Sequence, residues 1–129
     1  MQELGERAFA ECWQLREIVF QENCELQKIG DFCFYESGLR CLVTPPSLKE
    51  IGKRAFEKCR CLTNAVLNEG LLKLGWSAFE GSALRAVQLP STLKRVESGA
   101  FNQCNDLVTV TLSEGIESLG LICFQGAAI

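Results

Sequence analysis

The most reactive side chains in this 129-residue chain are those of eight cysteines, and the chain contains no histidine. Without histidine the chain lacks the usual general base, the usual partner of a serine or cysteine nucleophile and the commonest metal ligand. The sequence also has no glycine-rich phosphate-binding motif. Its carboxylates fall at loop and strand positions that we expect to face water. The sequence therefore predicts that this protein is not an enzyme and uses no cofactor.

A repeated sequence pattern runs through the chain, and the fold that it specifies must position these thiols. Phenylalanine recurs every 22–25 residues, at Phe9, Phe34, Phe56, Phe79, Phe101 and Phe124. Five positions before each phenylalanine lies an aliphatic residue, and a glycine follows it in every copy except the fifth, where Glu97 stands. One repeat cannot bury these apolar positions alone, but stacked neighbours can. We therefore expect about six stacked repeats of mostly 22–23 residues, with the phenylalanines in one internal ladder.

The distance from each phenylalanine to the next aliphatic residue alternates between six and five positions. The six-residue copies carry Cys12, Cys59 and Cys104 at one shared place, whereas the five-residue copies have small residues there. The working unit is thus interpreted as a pair of repeats. Between these positions the pattern of each repeat predicts a strand, a turn, a second strand and a short helical turn. The segment 21–26 is two residues longer than its counterpart in the next repeat and is expected to bulge.

Five cysteines are interpreted as core-packing side chains, because a free thiol behaves as a small hydrophobe. They are Cys12, Cys33, Cys59, Cys104 and Cys123. Two repeats separate the members of the shared column, roughly 10 Å at strand spacing, which is too far for a disulfide. Cys24, Cys41 and Cys61 fall outside the core columns and are better candidates for oxidation. We expect at most one disulfide, with a metal site as the least favoured alternative.

The frame (aliphatic)-Gly-x-x-Ala-Phe-x-x-Cys-x-x-Leu is best seen at residues 51–62 (Ile-Gly-Lys-Arg-Ala-Phe-Glu-Lys-Cys-Arg-Cys-Leu). It resembles the BspA-like, Treponema pallidum-type leucine-rich repeat family. The resemblance implies a leucine-rich-repeat solenoid, β-rich and right-handed, of the α/β type with short parallel strands. Members of that family occur on cell surfaces, often as adhesins, and the family has no catalytic motif to transfer. Fold alone does not give function.

Charge is distributed unevenly along the chain, whose net charge is −3. Residues 1–36 hold eight acids and three bases, residues 37–95 hold four acids and ten bases, and residues 96–129 hold four acids and no base. An acidic chain does not suit nucleic acid, which needs a basic stripe. The basic middle band could orient a charged protein partner, and chance clustering on a solvated surface is the equal alternative.

Removing the core positions leaves residues that we expect to point outward. On the strand side these are Glu17, Val19, Cys41, Val43, Asn64, Val66, Ala86, Gln88, Thr109 and Thr111, and on the turn side they include Phe32, Trp76, Leu121 and Ile122. Small, nearly uncharged strand residues suit a flat protein contact, although they also suit any open sheet. Grouped apolar residues on the turn side suggest a protein or lipid surface. Membrane contact is therefore left open.

Residues 1–129 are predicted to form a single repeat array that is part of a longer solenoid. The array starts inside a repeat at Leu4 and stops at Ile129, which we expect to open another strand. Leu121, Ile122 and Trp76 are expected to lie in a contact that covers this end. The predicted function is a non-catalytic protein–protein interaction module or structural subunit within a larger assembly. A segment of a secreted or cell-surface adhesin is the alternative. The compartment stays unknown, with a weak preference for an intracellular or organellar one because of the many thiols.

Overall fold

The computed structural model describes residues 2–128, and these residues form one stack of parallel coils. Each sequence repeat makes one coil and returns the chain to the same side, so equivalent residues of successive coils lie next to one another. The strands are β1 Glu3–Leu4, β2 Lys28–Ile29, β3 Cys41–Val43, β4 Glu50–Ile51, β5 Asn64–Val66, β6 Lys73–Leu74, β7 Ala86–Gln88, β8 Arg95–Val96, β9 Thr109–Thr111 and β10 Ser118–Leu119. The predicted solenoid of short parallel strands is confirmed.

The aliphatic residue before each glycine lies in a six-stranded parallel sheet. Its strand order is β1-β2-β4-β6-β8-β10, which takes one strand from each repeat. Ile29 pairs with Ile51, and Leu74 pairs with Val96. All four side chains are fully buried. The pairing register thus buries the aliphatic position of the four inner repeats, whereas Leu4 is partly buried and Leu119 is exposed in the outer coils.

The six phenylalanines stack in one column through the centre of the solenoid, which we call the phenylalanine column. Neighbouring ring centroids are 5.0–5.6 Å apart and neighbouring ring planes are within 9° of parallel. Phe34, Phe56, Phe79 and Phe101 are completely buried, whereas Phe9 and Phe124 in the outer coils are partly buried. Each inner ring therefore packs between two others, so that the stack itself supplies the core that one repeat cannot make alone.

The expected short helical turn is wrong: in each repeat the segment around the phenylalanine is not helical. Two left-handed residues interrupt this segment four positions apart, with φ of 55° at Arg54 and 59° at Lys58 in the third coil. A helix needs consecutive right-handed residues, so these two positions prevent one. Every second N–H of the segment donates to the next coil, as when Phe56 N donates to Ala78 O at 2.8 Å. The turns thereby form another hydrogen-bonded ladder between coils.

The second sheet is divided into pairs of repeats. β3 pairs with β5 and β7 pairs with β9, and in residues 2–128 no ladder joins β5 to β7. Each pair joins a five-residue copy to the six-residue copy that follows it, which agrees with a two-repeat unit. The expected first-coil strand with Glu17 and Val19 is wrong, because residues 17–19 form no strand against β3. Residues 17–22 instead face Cys41 and Val43 across an open cleft.

The left-handed position after each phenylalanine yields a prediction for stability. Gly81 occupies it with φ of 73°, and a Cβ there would meet no atom closer than 3.7 Å. Gly81→Val should therefore lower the free energy of unfolding by about 1–2 kcal/mol through backbone strain alone, measured by urea denaturation. Lys58→Gly relieves the same strain and should raise that free energy. An unchanged midpoint for Gly81→Val would contradict the assigned backbone conformation.

Candidate protein-binding surfaces

Two of the three cysteines in the shared column are built into the core in the same way. The Cys59 thiol contacts the Ser37 hydroxyl at 3.4 Å and donates to Phe34 O at 3.1 Å. In the second pair of repeats, Cys104 makes the same contacts with Ser82 and Phe79 O, at 3.3 and 3.1 Å. Each thiol thus links a six-residue copy of the repeat (a long copy) to the five-residue copy before it (a short copy).

Burial governs the chemistry of the core thiols. It raises the pKa of the Cys33 and Cys59 thiols to about 11, because an apolar setting penalises the thiolate. Burial also raises the pKa of Cys104 and Cys123. Protonated thiols are poor nucleophiles and poor metal ligands. These four cysteines are therefore structural in this fold.

The remaining cysteines differ from one another in exposure. Cys41 and Cys61 are exposed, as expected for residues outside the core columns. Cys12 was expected to be buried and is only partly so, since no described coil covers the outer side of the first repeat. Cys24 was placed outside the core columns, yet it is half-buried and packs against the core. All eight cysteines are free thiols.

Acidic side chains gather into no metal-binding centre in the described part of the chain. No cluster of three or more cysteine, aspartate or glutamate side chains among residues 2–128 could hold a metal ion. Glu57 corrects the expectation that carboxylates face water, because it is buried. It forms an ion pair with Arg54, three residues earlier. Its charge is therefore neutralised by a local partner.

The outward residues of the second sheet form a column of small and apolar side chains. Val43 and Val66 are direct partners across β3 and β5, and each is 59% exposed. Val19 of the first coil is 76% exposed. We call these three residues the valine stripe. The column continues as Gln88, paired with Thr111, and the adjacent outward column holds Cys41, Asn64, Ala86 and Thr109, all exposed.

An apolar cleft lies between residues 17–22 of the first coil and residues 41–46, and Val19 and Val43 of the valine stripe line it. Its volume is about 430 Å³ and its main apolar lining is Ile18, Val19, Phe20, Val43, Pro45 and Pro46. Glu17 and Glu22 are its only charged lining residues. The sequence reasoning did not assign Ile18 or Phe20 to a surface. The two extra residues of segment 21–26 were the signal that could have found this cleft.

The expected apolar group on the turn side is dispersed. Phe32 is half-buried, with the Arg7 guanidinium 4.4 Å from its ring centroid and Tyr35 against its edge. Trp76 is exposed, and its Nε1 donates to Glu97 at 3.1 Å. Leu121 and Ile122 are exposed two coils further on. Ser98 lies between Trp76 and Leu121 in that row, so the three apolar residues are not contiguous. Ile129 lies outside the described residues.

A family model for the BspA type leucine-rich repeat region matches residues 1–107 and 27–129, in six copies. The chain belongs to the BspA-type leucine-rich repeat family. The expected resemblance is thereby confirmed over essentially the whole sequence. No catalytic family is indicated. Repeats of this kind are generally non-enzymatic and mediate contacts between proteins.

Solved structures share the fold of this BspA-type array. A T. pallidum leucine-rich repeat protein has a TM-score of 0.72 and 24% identity, over 97% of this chain and 69% of that one. A leucine-rich cell surface protein from Faecalibacterium prausnitzii has a TM-score of 0.66 and 22% identity, over 88% of this chain and 37% of that one. A Bacteroides ovatus leucine-rich repeat protein has a TM-score of 0.58 and 19% identity, over 98% and 44%.

The array therefore spans less than half the length of two of these structures. No curated protein matches the sequence. Residues 2–128 contain no helix with the length and apolar character needed to cross a bilayer.

Proposed function

We propose that this BspA-type array is a non-catalytic protein-binding module or structural subunit, and that the valine stripe and the adjoining apolar cleft are its contact surface. One observation carries the proposal: exposed valines in register lead into a cleft of about 430 Å³ with an apolar lining. Contiguous exposed apolar patches on soluble proteins mark interaction sites. Single apolar residues scattered on other faces do not indicate an interaction site.

The physical chemistry of this surface suits a protein partner. Residue pairing across β3 and β5 holds Val43 beside Val66, so a partner meets them without reordering the backbone. β-branched valines also lose little side-chain freedom on contact. Burying a valine side chain completely contributes about 1.5 kcal/mol or more, so the stripe and cleft together supply an apolar centre for an interface.

Glu17 and Glu22 are the only charges in the cleft lining, and they add an acidic rim. A partner with an apolar segment flanked by lysine or arginine therefore fits this surface best. The carboxylates would steer such a segment toward the cleft, while the valines and prolines would supply most of the affinity.

The experiment is a comparison of proteins captured from the native source by matched variants. Val43→Asp with Val66→Asp places two charges in the centre of the stripe and should abolish specific capture that the wild type shows. Thr109→Asp with Thr111→Asp makes the same charge change at exposed positions of β9 and should retain it. Both double variants must unfold at the wild-type urea midpoint. Equal capture by the two variants would contradict the proposed contact surface.

A segment of a cell-surface adhesin is the second candidate. It is supported by the likeness in fold to the F. prausnitzii cell surface protein. Biotinylation of intact source cells with a membrane-impermeant reagent distinguishes the two, because an adhesin should be labelled as strongly as known surface proteins. An unlabelled protein in cells whose surface proteins react would exclude the adhesin.

A further inference from the structure

The alternation of long and short repeats shapes the corner of the solenoid that precedes the second sheet. Trp13 of the long first copy and Arg60 of the long third copy are exposed there, whereas Ser37 and Gly38 of the short copy between them are buried. Ser37 and Gly38 form the floor of the resulting depression. Its volume is about 260 Å³, and its lining residues are Trp13, Arg16, Glu36, Ser37, Gly38, Lys58, Arg60 and Cys61. We call it the basic recess.

The basic recess has an excess of positive charge that the protein does not neutralise. Arg16, Lys58 and Arg60 line it, and Glu36 is its single acid. None of the three cations lies within 4.0 Å of a carboxylate in residues 2–128. The six-stranded sheet differs, because its Lys28 and Lys73 pair with acidic side chains. The cations of the recess therefore remain available to an external anion.

Part of the recess is held in a fixed shape. Arg16 Nη1 donates to Trp13 O at 2.8 Å, which fixes the guanidinium against the backbone of its own loop. A Cβ on Gly38 would overlap that carbonyl oxygen, so the floor needs glycine to let the first coil approach. The Trp13 side chain itself is 66% exposed. The Trp13 indole and the Arg16 guanidinium thus line one small depression together with Lys58 and Arg60.

We propose that the basic recess binds an acidic polypeptide segment, with glutamate or aspartate carboxylates held by Arg16, Lys58 and Arg60 beside Trp13. Arginine suits this task, because its planar fork donates two parallel hydrogen bonds to one carboxylate. Three cations in 260 Å³ match one or two carboxylates. A long polyanion such as nucleic acid would extend past the three cations onto a chain whose net charge is −3, whereas a short acidic segment meets only the recess, where Glu36 is the single acid.

This inference goes beyond the proposed function, since the recess and the apolar cleft share no lining residue. The two surfaces also differ in chemistry, one cationic and one apolar with an acidic rim. A variant that destroys one surface therefore leaves the other in place.

The test uses the full chain carrying Trp76→Phe, which leaves Trp13 as the only tryptophan. Its fluorescence is titrated with a terminally blocked hexaglutamate peptide and, separately, with hexaglutamine. We expect a saturable change with hexaglutamate only. Arg60→Ala should raise the dissociation constant at least tenfold, and Arg16→Ala should do the same. Lys49→Ala removes one exposed positive charge outside the recess and should change it less than twofold.

Three results would overturn the proposal: no saturable change, an equal response to hexaglutamine, or a loss on Lys49→Ala as large as on Arg60→Ala. The urea midpoint of each variant identifies any that fail to fold, and Arg60→Gln then replaces Arg60→Ala. The Val43→Asp with Val66→Asp variant should bind hexaglutamate as the wild type does. Failure of the stripe and failure of the recess are thereby distinguished.

Discussion

Replacing Phe79 with alanine should lower the free energy of unfolding by about 3–5 kcal/mol, measured by urea denaturation. The ring is completely buried and stacks on Phe56 at 5.1 Å and on Phe101 at 5.5 Å. Its removal leaves a cavity between two neighbours that their own coils hold in place, because the coils are joined by ladders on several sides. The structure therefore has little freedom to close the gap.

Two further substitutions test whether position in the phenylalanine column sets this cost. Phe9→Ala should cost less than Phe79→Ala, since Phe9 is only partly buried and stacks on one ring, Phe34. Trp13→Ala removes a larger aromatic side chain from an exposed site and should change stability by less than about 1 kcal/mol. Equal losses at Phe79 and Trp13 would contradict the assignment of the phenylalanines to the core.

Raising the pH from 9 to 11 should destabilise the fold through its buried thiols. The pKa of the Cys59 thiol rises from an ordinary value of 9.0 to about 11 on burial, and that of Cys33 rises to about 11 as well. The pKa of each thiol is higher in the folded than in the unfolded chain, so the protonated thiol favours the folded state. This contribution to stability is complete below pH 9 and is lost as the pH rises to 11. The ionisation of Cys59 should lower the free energy of unfolding by about 1.4 kcal/mol per pH unit in that window.

A serine variant isolates the contribution of Cys59 from other groups that titrate at alkaline pH. Cys59→Ser keeps a hydrogen-bonding group of similar size but does not ionise, so its stability should fall less steeply between pH 9 and 11. The difference in slope from the wild type should be about 1.4 kcal/mol per pH unit. Identical slopes for wild type and Cys59→Ser would show that the Cys59 thiol is accessible in the folded chain.

Much of the fold is predictable from the sequence because the same pattern of residues occurs six times. The spacing of Phe34, Phe56 and Phe79 fixes which residues stack, and the aliphatic residues before the glycines fix the main sheet. Alternating copy length also pointed to paired repeats, and the second sheet is divided in that way. Repetition turns a weak local signal into a strong one.

The turn conformation could not be predicted in the same way. Lysine and arginine favour helices, and Arg54 and Lys58 nevertheless adopt left-handed φ values. The cause is tertiary: this backbone conformation directs N–H groups to the next coil, where Lys58 N donates to Glu80 O at 2.7 Å. Local propensity carries no information about that hydrogen bond, which forms only when the repeats stack.

The candidate surfaces were predicted in part. Val43 and Val66 were placed outward by alternation, because their strands alternate regularly between exposed and less exposed residues. The apolar cleft and the basic recess depend instead on loops of unequal length in neighbouring coils, and Phe32 is half-covered by Arg7 of the preceding coil. Such contacts join residues about 25 positions apart, and the sequence frame does not show how far each loop projects.

Site-specific photo-crosslinking at Val43 tests the central claim most directly. A photoreactive amino acid replaces Val43 in the full chain, and the same residue replaces Thr109 as a matched exposed control. After irradiation in the native source, the Val43 probe should give a discrete adduct whose mass exceeds that of the chain by one partner protein. The Thr109 probe should give none of that mass. Adducts of equal yield from both positions, or none from Val43, would contradict a protein contact at the valine stripe.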